Sequence, residues 1–134
     1  MDGVKTMRSS TGPEETLKRL EAGIKAQGMT IMASVDHAAL ATEVGLSLRP
    51  TRVILFGNPR GGTPLMQANQ TMGIDLPLKA LIWQDATETT WLSYNEPAWL
   101  AGRHNITGVE KSVSAMESAL EKIANHATRG ADPV

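Results

Sequence analysis

Residues able to do chemistry are few in this chain. Its histidines are His37, His104 and His126, and among its 134 residues there is no cysteine. That excludes disulfides, thiolate nucleophiles and cysteine-held metals together. A histidine acting as general base needs a substrate-facing imidazole and a partner to orient it. His37 follows Asp36 and His104 follows Arg103, which makes these two the candidate bases. His126 sits near the end of a helical segment, where a positive ring suits the dipole. A metal site needs at least three well-placed ligands, and the sequence offers neither a third beside the histidines nor an HExxH pair. No metal and no cofactor is therefore expected. Asp75, Asp85, Glu88 and Glu96 are available as paired carboxylates, although loop solvation accounts for them equally. Ser93 lacks the GxSxG setting of an activated serine.

A second candidate is a stretch of backbone, FGNPRGGTPLMQANQTMGIDLP, residues 56–77. An apolar run ending at Phe56 breaks on Gly57, Gly61 and Gly62, with Pro59 fixing a turn, and the chain then restarts as a helix. Thr63 stands where an N-cap belongs, and Pro64 follows at the first helical position, where a missing N–H costs nothing. Strand, glycine loop and helix start together make a candidate anion cradle, to which Arg60 adds charge, while a purely structural turn accounts for the same residues. The candidate ligand-binding set is Asn58, Arg60, Gly61, Gly62 and Thr63 with His37 and His104. The loop is neither GxxxxGK[ST], because no lysine follows the glycines, nor GxGxxG.

The elements that must position these residues follow from periodicity. A first strand is expected over residues 4–9, and a helix follows it, with Leu17, Leu20 and Ile24 on one face and Thr11–Glu14 at capping-box spacing. Alternation from Met29 to Val35 gives a second strand, and the order strand–helix–strand reads as a right-handed βαβ unit with parallel strands, an antiparallel return being the alternative. Asp36 caps a short alanine-rich helix. The run 51–56 is apolar enough for a central strand, and 78–84 with 90–94 form a hairpin. A short helix follows Pro97. A last, long helix carries Val109, Val113, Met116, Leu120, Ile123 and Ala127 on one stripe. The fold expected is a single two-layer α+β domain: a mixed β-sheet covered by helices, with a core over about 4–128 and a flexible tail over 129–134.

Composition bounds the partners. Thirteen Lys and Arg against fourteen Asp and Glu give a net charge of −1, which argues against a surface built to neutralise many phosphates. No apolar run approaches the ~20 residues of a membrane span. The first ten residues lack the hydrophobic core of a signal peptide, so a cytoplasmic location is expected, with neither nucleic acid nor membrane as partner. Trp83, Trp91, Tyr94 and Trp99 gather in the C-terminal half, where an aromatic hairpin face suits burial by a second copy of the chain.

FGNPRGGTPLMQ, IDLPLKALIWQD, WLSYNEPAWLAGRH and DHAALATEVGLSLRPTRV together resemble the family called domain of unknown function 302, over nearly the whole chain. The resemblance implies one α+β domain with a helix-covered sheet and is consistent with a homodimer; it brings no reaction or ligand. The chain departs from the family at Thr87-Glu88, where relatives usually carry glycine. Three functions are then expected in order. The first is a homodimeric domain that binds a small anionic or polar ligand at residues 57–63. The second is an enzyme with His37 or His104 as general base and loop amides stabilising negative charge. The third is an interaction module using the tryptophan face.

Overall fold

The computed structural model describes residues 1–129. In chain order it contains β1 (Val4–Arg8), α1 (Pro13–Ala26), β2 (Thr30–Asp36), α2 (His37–Glu43), β3 (Thr51–Gly57), α3 (Pro59–Ala68), a 3₁₀ turn over Gln70–Ile74, β4 (Leu78–Gln84), β5 (Thr90–Asn95), α4 (Pro97–Arg103) and α5 (Glu110–Arg129). The strands form one sheet in the order β1-β5-β4-β3-β2. This is the expected α+β architecture, helices against a sheet.

The expected mixed sheet is corrected: all four pairings are antiparallel. Four reversals separate β1 from β2, so the two do run in the same direction, but they lie on opposite edges with the other three strands between them. The βαβ-like unit is therefore split open. Periodicity fixes which residues of a strand face the core but not which strand lies alongside, and α1 is long enough to cross the sheet width.

Alternation along the strands sorts the two faces. Ile54, Phe56, Leu78, Ala80, Ile82, Leu92 and Tyr94 are buried and share one core with Leu20 and Ile24 of α1 and Met116, Leu120 and Ile123 of α5. α1 and α5 lie close, because a Cβ added to Gly23 would stand 3.5 Å from the Ile123 backbone. The opposite face carries Val53, Leu81, Trp83 and Trp91, which are only half-buried. Trp83 and Trp91 are register partners there, with ring centroids 6.0 Å apart and planes 24° from parallel.

Local chemistry explains most element ends. The Asp36 side chain caps α2 by accepting from the Ala39 amide at 2.9 Å. α1, however, is capped by Gly12 and not by Thr11, whose hydroxyl instead joins Ser9 and Thr16. In the hairpin, Asp85 accepts from the Thr87 and Thr89 amides and from Trp91 Nε1, and these bonds hold its carboxyl down at about 2. The turn follows with Glu88 at φ 62, the left-handed conformation that glycine adopts freely. The tail expected over 129–134 is helical at Arg129, the last residue of α5; residues 130–134 lie outside those described.

Candidate functional site

The glycine-rich stretch is a helix start, moved five residues earlier than its sequence suggests. Asn58, not Thr63, is the N-cap of α3, and Pro59 takes the first helical position. Thr63 and Pro64 lie inside the helix. Asn58 Oδ1 accepts from the Arg60 amide at 3.0 Å, and the Asn58 carbonyl accepts from the Gly61 and Gly62 amides at 2.9 and 3.0 Å. The first-turn amides that were to converge on an anion are thus already bonded within the chain. Neither Gly61 nor Gly62 has a positive φ, so their value here is space and not backbone angle.

That space is a cavity of about 260 Å³. Asn58, Gly61, Gly62 and Thr63 form one wall, and Met29, Met32, Met66 and Met116 contribute from three other parts of the chain and from further along α3. Arg60 is exposed and is not part of this wall. Met32 reaches it by a β-bulge: Ile31 pairs with Phe56 and Ala33 with Leu55, which leaves Met32 as the extra residue. A bulge of this kind re-aims a side chain. Nothing in the sequence groups these methionines; that four of the seven meet at one place is supplied only by the fold.

The two histidines are not brought together, and neither lines this cavity. His37 is exposed at the start of α2 and borders an open groove of about 620 Å³ on the outer sheet face, with Val53, Leu81 and Trp83. His104 is the C-cap of α4 and is buried. Its Nε2 lies 2.5 Å from Asp75 Oδ2, and its Nδ1 lies 2.8 Å from Thr71 Oγ1. Arg103 Nη1 donates to both Asp75 oxygens at 3.0 and 3.1 Å, and Asn69 Nδ2 donates to the His104 carbonyl at 2.7 Å. Asp75, Thr71 and Asn69 thus tie the 3₁₀ turn to the end of α4. No group of three His, Cys, Asp or Glu side chains among the described residues is placed to hold a metal.

Comparisons place this arrangement among known proteins. Residues 5–127 match the family described as domain of unknown function DUF302. A protein named fluoride-specific ion channel FluC 1 from Brucella suis biovar 1 (strain 1330) is 42% identical over 126 residues, 93% of this chain and 50% of that protein. Fluoride-specific ion channel FluC 2 from Brucella melitensis biotype 1 is also 42% identical over 126 residues, covering 47% of its length. The chain therefore spans about half the length of these relatives. The crystal structure of an uncharacterized conserved DUF302 protein from Bacillus stearothermophilus superposes with a TM-score of 0.85, covering 95% of this chain and 99% of that one, at 24% identity; this is a likeness of fold.

Proposed function

Because the chain belongs to the DUF302 family, whose description supplies no reaction to inherit, we propose a function from the cavity: it is a binding domain for a small, uncharged, largely apolar molecule held beside the start of α3. The observation that carries this reading is that Gly61 and Gly62 leave open a space walled by four methionines. Ligand sites are concave and mainly apolar, with a few polar groups that fix orientation, here Asn58 and Thr63. A small anion, the ligand expected from sequence, is the weaker reading, since the Arg60, Gly61 and Gly62 amides are bonded to Asn58 and no charged side chain lines the wall.

Gly61→Ala separates binding from stability. The new methyl would stand 3.5 Å from Met116 Cε, an ordinary contact, while narrowing the cavity. Replacing a helical glycine by alanine favours the fold by ~0.5–1 kcal/mol. The variant should melt no lower than the parent, yet bind the neutral apolar dye N-phenyl-1-naphthylamine more weakly in a fluorescence titration. Equal dye binding by the two proteins would overturn the assignment.

The channel name of the Brucella relatives is not carried over. A channel must cross a bilayer, and no helix among the described residues is long and apolar enough to do so.

A second property rests on the outer sheet face. The Trp83–Trp91 stack lies there in register with Val53 and Leu81 on the neighbouring rungs, all four only half-buried. Exposed apolar patches of this kind mark interfaces, and a chain of net charge −1 repels its copy little. We assign the face to a homodimer. Sedimentation at micromolar concentration should give twice 14.4 kDa, and Leu81→Asp should return the monomer mass. A monomer at every concentration for the parent chain would sink the dimer.

A further inference from the structure

We infer that the ligand of the methionine-walled cavity is a small uncharged aromatic molecule of one or two rings, an inference that rests on the binding function proposed above. Size is the first argument. A dry apolar cavity of about 150 Å³ accepts benzene, so about 260 Å³ has room for a substituted ring or a fused pair, and far exceeds what a single metal ion would fill. Chemistry is the second. Met29, Met32, Met66 and Met116 supply polarisable thioethers, which favour aromatic rings over aliphatic groups of equal size. No charged side chain lines the wall, so a charged ring would lose hydration without a partner.

Placement is the third argument, and it distinguishes this cluster from ordinary core filler. A Cβ built on Gly57 would meet Met32 Cε at 3.9 Å, one on Gly61 Met116 Cε at 3.5 Å, and one on Gly62 first Leu76 Cδ1 at 3.4 Å and then Met66 Cε at 3.9 Å. Three glycines within one strand end and helix start thus face the tips of three methionines from three elements. The Met32 tip is there because the β2 bulge makes it the unpaired residue. Methionines that merely packed a core would close this space; here they border it, and an unbranched thioether side chain adapts to the shape of what it packs against. Asn58 and Thr63 are the polar side chains at the wall, and Asn58 Oδ1 is already taken by the Arg60 amide.

The test compares phenol with cyclohexanol, which share a hydroxyl and a six-carbon ring and differ in aromaticity. Titrations are followed by the methyl signals of methionines labelled at Cε. Phenol should shift the Met32, Met66 and Met116 methyls while leaving Met1 and Met7 in place, and should bind several-fold tighter than cyclohexanol. Met32→Leu, at a half-exposed position, and Met116→Leu, which nearly conserves volume, should each reduce the preference for phenol by roughly two- to tenfold. If cyclohexanol binds as tightly as phenol, the aromatic class is wrong while the apolar cavity stands. If neither alcohol moves the methyls, both readings fall. Saturation of the same methyls by one equivalent of silver(I) at micromolar concentration would overturn the inference in favour of a thioether metal site.

Discussion

Leu120→Ala is expected to cost ~2–5 kcal/mol in urea unfolding, because it empties the centre of the contact between α5 and the sheet. Leu120 is 2% exposed and shares the core with Leu20, Ile24, Phe56 and Leu92. The space it leaves cannot collapse easily, since α1 and α5 are already packed so closely at Gly23 that an added Cβ would stand 3.5 Å from the Ile123 backbone. Deleting a buried leucine loses transfer free energy and adds the cost of the cavity left behind. Lys122→Ala, two residues along and exposed, is the control and should stay within ~0.5 kcal/mol of the parent. A Leu120→Ala loss as small as the control's would mean that the α5 stripe does not face the core.

The sequence carries the α5 stripe without ambiguity, because six apolar residues recur at steps of three and four between Val109 and Ala127 and nothing competes with the helical reading. The α2 cap is equally legible: Asp36 precedes an alanine-rich run and does bond the Ala39 amide. The start of α3 is not, and the reason is physical. The chain offers two cap-and-proline pairs, Asn58-Pro59 and Thr63-Pro64, and either fits a helix start. The earlier pair holds because Gly61 and Gly62 can adopt helical angles as well as any others. The price of that choice is a proline inside the helix, where the Arg60 carbonyl forgoes its usual partner four residues on. Once the helix begins at Asn58, the amides read as an anion cradle become its first turn, and the same glycines become the floor of a cavity. Long-range assembly was out of reach altogether. Met32 and Met116 are 84 residues apart, and nothing in either neighbourhood points to the other.

Separations of 29 and 33 residues likewise hide Asp75 and Thr71 as partners of His104, and the consequence is the second large effect expected here. His104→Ala should destabilise the protein by ~2–4 kcal/mol, because it removes a buried ring that is bonded at both nitrogens and leaves Asp75 and Thr71 without it. Asp75 keeps Arg103, whose guanidinium is half-exposed, so part of its pairing survives; this puts the estimate below that for stranding a buried charge completely. The hydrogen bonds run from the 3₁₀ turn to the end of α4, and Asn69 adds a bond to the His104 carbonyl that the substitution spares. If the ring acts as a clamp, Asp75→Asn should lose part of the same stability, and the double variant should lose less than the sum of the two, since both remove one contact. Additive losses would show that His104 and Asp75 do not act together. The order Asp75, His104, Thr71 does place a carboxylate, an imidazole and a hydroxyl in one chain of hydrogen bonds, as a base-activated nucleophile requires. Yet Thr71 Oγ1 donates to Asn69 Oδ1 at 3.0 Å, so its proton is committed to a side-chain carbonyl and not offered to the ring. Thr71→Val is therefore expected to cost its bonds to the ring and to Asn69 and little more. If it removed labelling by a fluorophosphonate ester that the parent accepts, His104 would be a working base and not a clamp.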